Sequence, residues 1–85
     1  MDVKIFSAFW CGPCKGLKPI MEELKNEYQN INFQTIDVDD ESELAINYGV
    51  KSIPTVIFEK GGIEVSRQVG IKSKQTYVDL INSFL

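Results

Sequence analysis

Trp10-Cys11-Gly12-Pro13-Cys14-Lys15 decides how this chain is read. Its two cysteines are the only ones among 85 residues. Their spacing brings two side chains together on the first turn of a helix. One thiol can then attack a disulfide in a substrate, and the other can displace that substrate. A Cys-x-x-Cys beside a βαβ pattern in an intracellular chain reads as a redox motif. The whole hexapeptide is far more specific than its spacing. The plainer alternative is a pair of inert core thiols.

Working outward, Val3 to Phe9 is a short apolar run interrupted by Lys4 and Ser7, and it reads as a buried strand. A helix follows from about Pro13 to Tyr28. Leu17, Ile20, Met21, Leu24 and Tyr28 recur in steps of three and four, which sets one apolar stripe against a sheet. Pro19 inside it removes a backbone donor and is expected to kink it. Ile31 to Val38 reads as a second strand. Asp39-Asp40-Glu41 opens a short helix ending near Tyr48, with Asp40 and Glu43 at capping-box spacing and Gly49 suited to the C′ position.

Thr55 to Glu59 is a third strand after Pro54, and Lys60-Gly61-Gly62 turns it into a fourth, Ile63 to Val69. There Ile63, Val65, Arg67 and Val69 alternate with Glu64, Ser66 and Gln68, as in a half-exposed strand. A last helix starts near a Ser73 cap and is expected to bury Tyr77, Leu80, Ile81 and Phe84. Phe6, Phe9, Phe33 and Phe58 read as core, and Trp10 as a groove wall. The order is β-α-β-α-β-β-α, an α/β chain with a four-stranded mixed sheet flanked by three helices. Two helical crossovers imply parallel pairing, and the closing hairpin is antiparallel. Residues 1–85 read as one domain without repeat or linker.

Composition narrows the function. An apolar fraction of 44% argues against disorder. A net charge of -3, with acids and bases interspersed, leaves no basic footprint for nucleic acid or membrane. The N-terminus lacks a signal-peptide apolar region, and no run approaches the roughly 20 residues that span a bilayer. A cytoplasmic monomer is the expectation. Histidine is absent, which removes Cys–His and Ser–His–Asp catalysis and imidazole zinc sites. One Cys-x-x-Cys supplies two of a zinc site's four ligands, so no metal is expected. Asp37, Asp39, Asp40 and Glu41 read as a solvated helix N-terminus rather than a cation site.

Cys11 falls where the first strand ends and the helix begins. It therefore faces unpaired N–H groups and the positive end of the helix dipole, which favour thiolate, the attacking species. Cys14, one turn in, is expected to be more buried and to act second. Gly12 and Pro13 keep the turn compact and leave Cys11 accessible. Ile53-Pro54-Thr55 is the second signal. Proline is poorly tolerated before a central strand unless it makes a tight turn. Only about 5–6% of X–Pro bonds are cis in folded proteins, so by itself this sequence favours trans.

Taken together, Trp10 to Lys15, Pro19, Asp39, Ile53-Pro54-Thr55, the Gly61-Gly62 hairpin and Val69-Gly70 resemble the thioredoxin family over nearly the whole chain. The resemblance implies dithiol–disulfide exchange, a cis bond before Pro54 and a substrate groove. That groove would use Trp10, Gly12 and Pro13 on one side, and Ile53, Pro54 and Val69-Gly70-Ile71 on the other. Three departures stand out. The chain opens directly on the motif-bearing strand, an outline nearer to glutaredoxins. Where thioredoxins carry a buried aspartate six residues before the first cysteine, this chain has Ile5. Where they carry its partner lysine, it has Thr35. The two losses are consistent, because losing one alone would strand a buried charge.

The expected activity is reduction of protein disulfides through Cys11 and Cys14, without cofactor or metal. A thioredoxin reductase or glutathione would restore the dithiol. Two alternatives stand beside it: a glutaredoxin-like donor serving one enzyme, such as a ribonucleotide reductase, and a non-enzymatic binding module.

Overall fold

The computed structural model describes every residue from Met1 to Leu85. Its strands are β1 (Asp2–Ser7), β2 (Asn32–Asp37), β3 (Thr55–Lys60) and β4 (Ile63–Val69). Its helices are α1 (Gly12–Glu27), α2 (Ser42–Asn47) and α3 (Lys74–Phe84). The element order matches the sequence reading, and the sheet runs β2-β1-β3-β4.

Strand alternation divides the core between the two faces of the sheet. Val3 and Ile5 of β1 join Val56 and Phe58 of β3 on one face. There they meet Leu17, Met21 and Leu24 of α1 and Tyr77 and Ile81 of α3. Phe6 and Ile57 point the other way, onto Ile36 and onto Ala45 of α2. The predicted stripe of α1 is thus its buried face, and the helix runs through Pro19 to Glu27. In α3, Tyr77 and Ile81 are buried, whereas Leu80 and Phe84 are only partly so.

The second crossover does not make a parallel pair. β1 and β2 are parallel, but β3 is antiparallel to β1, with Thr55 opposite Phe6. β3 therefore starts at the end of the sheet where β1 and β2 finish. The six residues of α2 rise about 9 Å, too little to carry the chain back along a strand of about 20 Å. Nor does the Asp40–Glu43 capping box form. The N-cap is Glu41, without a side-chain cap. Asp37 organises the turn instead, its Oδ1 accepting from the N–H groups of Asp39 (2.8 Å) and Asp40 (3.3 Å). The other end of α2 follows expectation. Gly49 has φ +68°, its N–H donates to the Ile46 carbonyl, and Val50 donates to Ala45, which is a Schellman cap.

β4 departs from simple alternation. Ser66 faces Phe58 but Glu64 faces Glu59, so Val65 is an extra residue at a bulge. Val65 packs on the α1/α3 side. Arg67 faces the other way, donating to the Tyr48 carbonyl and to both Glu64 carboxylate oxygens. The Gly61-Gly62 turn has φ of +61° and +79°, the left-handed pair a two-residue hairpin needs.

One charged side chain is buried on the α2 face. Glu59 is buried, and its carboxylate accepts from Lys4 Nζ (2.5 Å) and Tyr48 Oη (2.6 Å). Lys4 also donates to Tyr48 Oη at 2.8 Å. The bond to Glu59, then that to Tyr48, holds the Lys4 ammonium well above the ordinary lysine range. On the other face, burial pushes the Tyr77 phenol up, while its oxygen accepts the Lys72 N–H at 3.0 Å. Both groups keep protons in the folded state that the unfolded chain gives up. Their stabilisation is therefore complete below about pH 10 and is lost as pH rises through the raised folded values. Denaturant midpoints should fall above that pH. Lys4→Met should cost about 2 kcal/mol at pH 7, because Glu59 loses its cation, and should shrink the alkaline fall. An unchanged alkaline profile in this variant would mean that the Lys4–Glu59 pair is not linked to folding.

Candidate active site

Cys11 is the N-cap of α1. Its backbone is extended (φ -84°, ψ 113°), and its Sγ accepts the Cys14 N–H at 3.3 Å. The Cys11 N–H in turn donates to the Ala8 carbonyl at 3.1 Å, tightening the link from β1. This places the Cys11 sulfur against the open donors of a helix N-terminus. Pro13 lies in the first turn, where its missing N–H costs nothing. The two cysteines form a disulfide with Cα atoms 5.3 Å apart. No three or more His, Cys, Asp or Glu side chains converge to hold a metal.

The expected order of burial is not observed. Cys11 is 4% exposed and Cys14 9%. The pair packs with Ala8, and Val38 and Ile53 close against it. This cluster is thus covered in part by residues that sequence order keeps far away. Phe9 is also corrected: β1 ends at Ser7, and Phe9 leaves the sheet 79% exposed rather than entering the core.

The residues expected to form a groove lie on three segments of the chain. Trp10, Gly12 and Pro13 are exposed. The Trp10 indole N–H donates to Asp39 Oδ2 at 2.7 Å, fixing the ring beside the motif. The sequence reading left Asp39 as a solvated helix residue; its partner is 29 positions away, and no local signal marks the contact. The Ile53–Pro54 peptide bond is cis. The Pro54 carbonyl accepts the Gly70 N–H at 2.8 Å, tying the Val69-Gly70-Ile71 segment to the proline turn. Gly70 has φ +83°, a conformation that suits glycine. Ile71 lies on α1, since a Cβ on Gly16 would stand 3.3 Å from its Cδ1. Val69 and Ile71 are 52% and 43% exposed.

Behind the disulfide lies a cleft of roughly 440 Å³, bordered by Cys14, Ile5 and Thr35 among others. Ile5 and Thr35 are register partners across β1 and β2. Ile5 is buried and Thr35 exposed, and no charge occupies either position.

Comparison with known proteins agrees with this arrangement. The thioredoxin family model matches residues 3–83. A thioredoxin of Chlamydia caviae is 47% identical over 77 residues, covering 91% of this chain and 76% of its own length. That of Bacillus subtilis is 44% identical over 81 residues, covering 94% and 78%. Among solved structures, a thioredoxin from Nicotiana alata superposes with a TM-score of 0.92 at 39% identity, covering 96% of this chain and 70% of that one. Fasciola hepatica thioredoxin gives 0.91 at 36%, covering 99% and 80%. By its cysteine pair, its sheet and these relatives, the chain belongs to the thioredoxin family, a family of thiol–disulfide oxidoreductases.

Proposed function

We propose that this chain reduces disulfides in proteins, with Cys11 as nucleophile and Cys14 as resolving thiol. The observation that carries this reading is the Cys11 sulfur at the N-cap of α1, accepting the Cys14 N–H. A helix N-terminus stabilises thiolate over thiol. The Cys11 thiolate attacks a substrate disulfide and forms a mixed disulfide, releasing the first substrate sulfur. The Cys14 thiolate then attacks Cys11, the Cys11–substrate bond breaks, and the second substrate sulfur leaves. Two electrons pass to the substrate and the Cys11–Cys14 bridge remains. A thioredoxin reductase or glutathione returns the dithiol. The groove of Trp10, Gly12, Pro13, Ile53, Pro54, Val69, Gly70 and Ile71 seats an extended substrate segment.

No helix is long and apolar enough to cross a membrane. We place the protein in the cytoplasm as a single-domain monomer. The equilibrium potential of Cys11–Cys14 separates a general reductase from a glutaredoxin-like donor. Thioredoxin lies at about −270 mV and glutaredoxins at about −200 to −230 mV.

Insulin reduction tests the reading, since a pure binding module is silent in it. Val69→Asp tests the groove. Its half-exposed position should tolerate the charge, while an apolar substrate contact should not. The expected result is a KM raised about five- to tenfold, roughly 1–1.4 kcal/mol, with the potential unchanged. An unaltered KM removes the Val69 segment from the groove.

A further inference from the structure

α1 carries a glycine that its backbone does not require. Gly16 lies inside the helix, is exposed, and is not among the glycines with positive φ. Apart from proline, glycine is the poorest helix former, so alanine would hold this turn better. What distinguishes Gly16 is a contact from elsewhere in the fold. A Cβ on Gly16 would meet Ile71 Cδ1 at 3.3 Å, closer than such atoms ordinarily approach. A Cβ on Gly12, one turn earlier, would meet nothing within 4 Å. The missing side chain of Gly16 is thus the space in which Ile71 lies against α1.

The backbone of Ile71 is pinned on both sides. The Gly70 N–H donates to the Pro54 carbonyl at 2.8 Å, and the Lys72 N–H donates to the Tyr77 hydroxyl at 3.0 Å. Tyr77 is itself fully buried. The half-exposed side chain of Ile71 is therefore the part that yields to pressure from α1. The helix sets the direction of that pressure. A Cα–Cβ bond in an α-helix tilts toward the N-terminus, and residues four apart share a face. Gly12 stands four residues before Gly16, between Cys11 and Pro13. A methyl on residue 16 would push the Ile71 side chain off α1 and toward Gly12 and Pro13.

We propose that Gly16 is a positioning residue for the substrate. With no side chain there, Ile71 rests on α1 and leaves room between its own segment and the Gly12-Pro13 turn. This inference rests on the groove and the reductase reading proposed above. Gly16 acts through Ile71 and not on the reacting sulfurs. The substrates it favours are polypeptide disulfides with bulky side chains beside the cysteine, which need a wide groove. Small disulfides that reach Cys11 without lying along the groove do not depend on it. Helix stability forgone next to a reacting centre fits a residue that serves binding.

Steady-state insulin reduction by Gly16→Ala and Gly16→Leu tests the assignment, with unfolding in denaturant measured beside it. KM should rise about threefold in Gly16→Ala and about tenfold in Gly16→Leu, while kcat and the Cys11–Cys14 potential stay unchanged. The rate with a small aromatic disulfide should also hold. The unfolding midpoint of Gly16→Ala should rise, because alanine is the better helix former. In an Ile71→Ala background, Gly16→Ala should add nothing to KM, since the side chain it displaces is gone. An insulin KM unchanged in both single variants would overturn the assignment. So would a KM increase that persists in the Ile71→Ala background. A KM increase accompanied by a lower midpoint and a slower reaction with the small disulfide marks distortion of α1 and overturns it too. A parent protein silent toward insulin overturns the reductase reading, and this inference with it. A parent that reduces insulin no better than its Gly16 variants overturns this inference alone.

Discussion

Serine at position 14 should turn the protein into a trap. In Cys14→Ser, Cys11 still attacks a substrate disulfide, but no second thiol breaks the resulting bond. A covalent complex should accumulate that mass spectrometry assigns to Cys11 and that added dithiol releases. Cys11→Ser should lose reduction to the uncatalysed background, because the remaining thiol has no helix N-terminus at its sulfur. Exposure does not choose between the two cysteines, since both are buried and Cys11 slightly more so. What separates them is the N-cap position, where Cys11 Sγ meets the Cys14 N–H. A hydrogen bond and the helix dipole each favour the anion. Should alkylation of the reduced protein label Cys14 ahead of Cys11, the roles are reversed.

Ile5→Asp should destabilise the fold by about 3–5 kcal/mol at pH 7, through lost apolar burial and an unpaired carboxylate. Ile5 is 6% exposed, and it borders the cleft that Cys14 and Thr35 also border. Thr35, its register partner, offers no cation. Burial should raise the folded-state pKa of the new carboxyl above its unfolded value of about 3.9. Between those two values the folded state binds more protons than the unfolded state. Stability is therefore lost as pH rises from about 4 through the raised folded value, and the variant should match its low-pH stability only in acid. Thr35→Lys in the same chain should recover about 1 kcal/mol, seen as coupling in a double-mutant cycle. A neutral Ile5→Asp with an ordinary titration would show that water fills the cleft well enough to hydrate the charge.

Most of the fold was legible because its signals are local. The α1 stripe, the Gly61-Gly62 turn and the Gly49 cap each depend on residues within one or two turns of chain. The dithiol and its place at a helix start were legible for the same reason, as six adjacent residues state both. Phe9 misled because an apolar residue after an apolar strand looks like core, and only the end of β1 at Ser7 turns it outward. The bulge at Val65 was hidden because it is a property of pairing with β3, and a regular alternation in one strand carries no record of its partner's register.

The sequence by itself determined the chemistry available: two thiols, no imidazole, and a helix placed to activate the first. It also determined the order of elements, since hydrophobic period and turn residues act over short distances. Tertiary structure alone decided which distant residues surround that chemistry. It set β3 antiparallel to β1, because α2 is too short to return the chain. That brings Pro54 and Gly70 to the end of the sheet where the cysteines lie. It packed Val38 and Ile53 against the cluster of Ala8 and the two cysteines, gave Trp10 its bond to Asp39, and put Asp37 on the Cys14 cleft. These contacts join residues up to some sixty positions apart. They follow from how the sheet is ordered and how its faces are covered, which no local pattern of residues encodes.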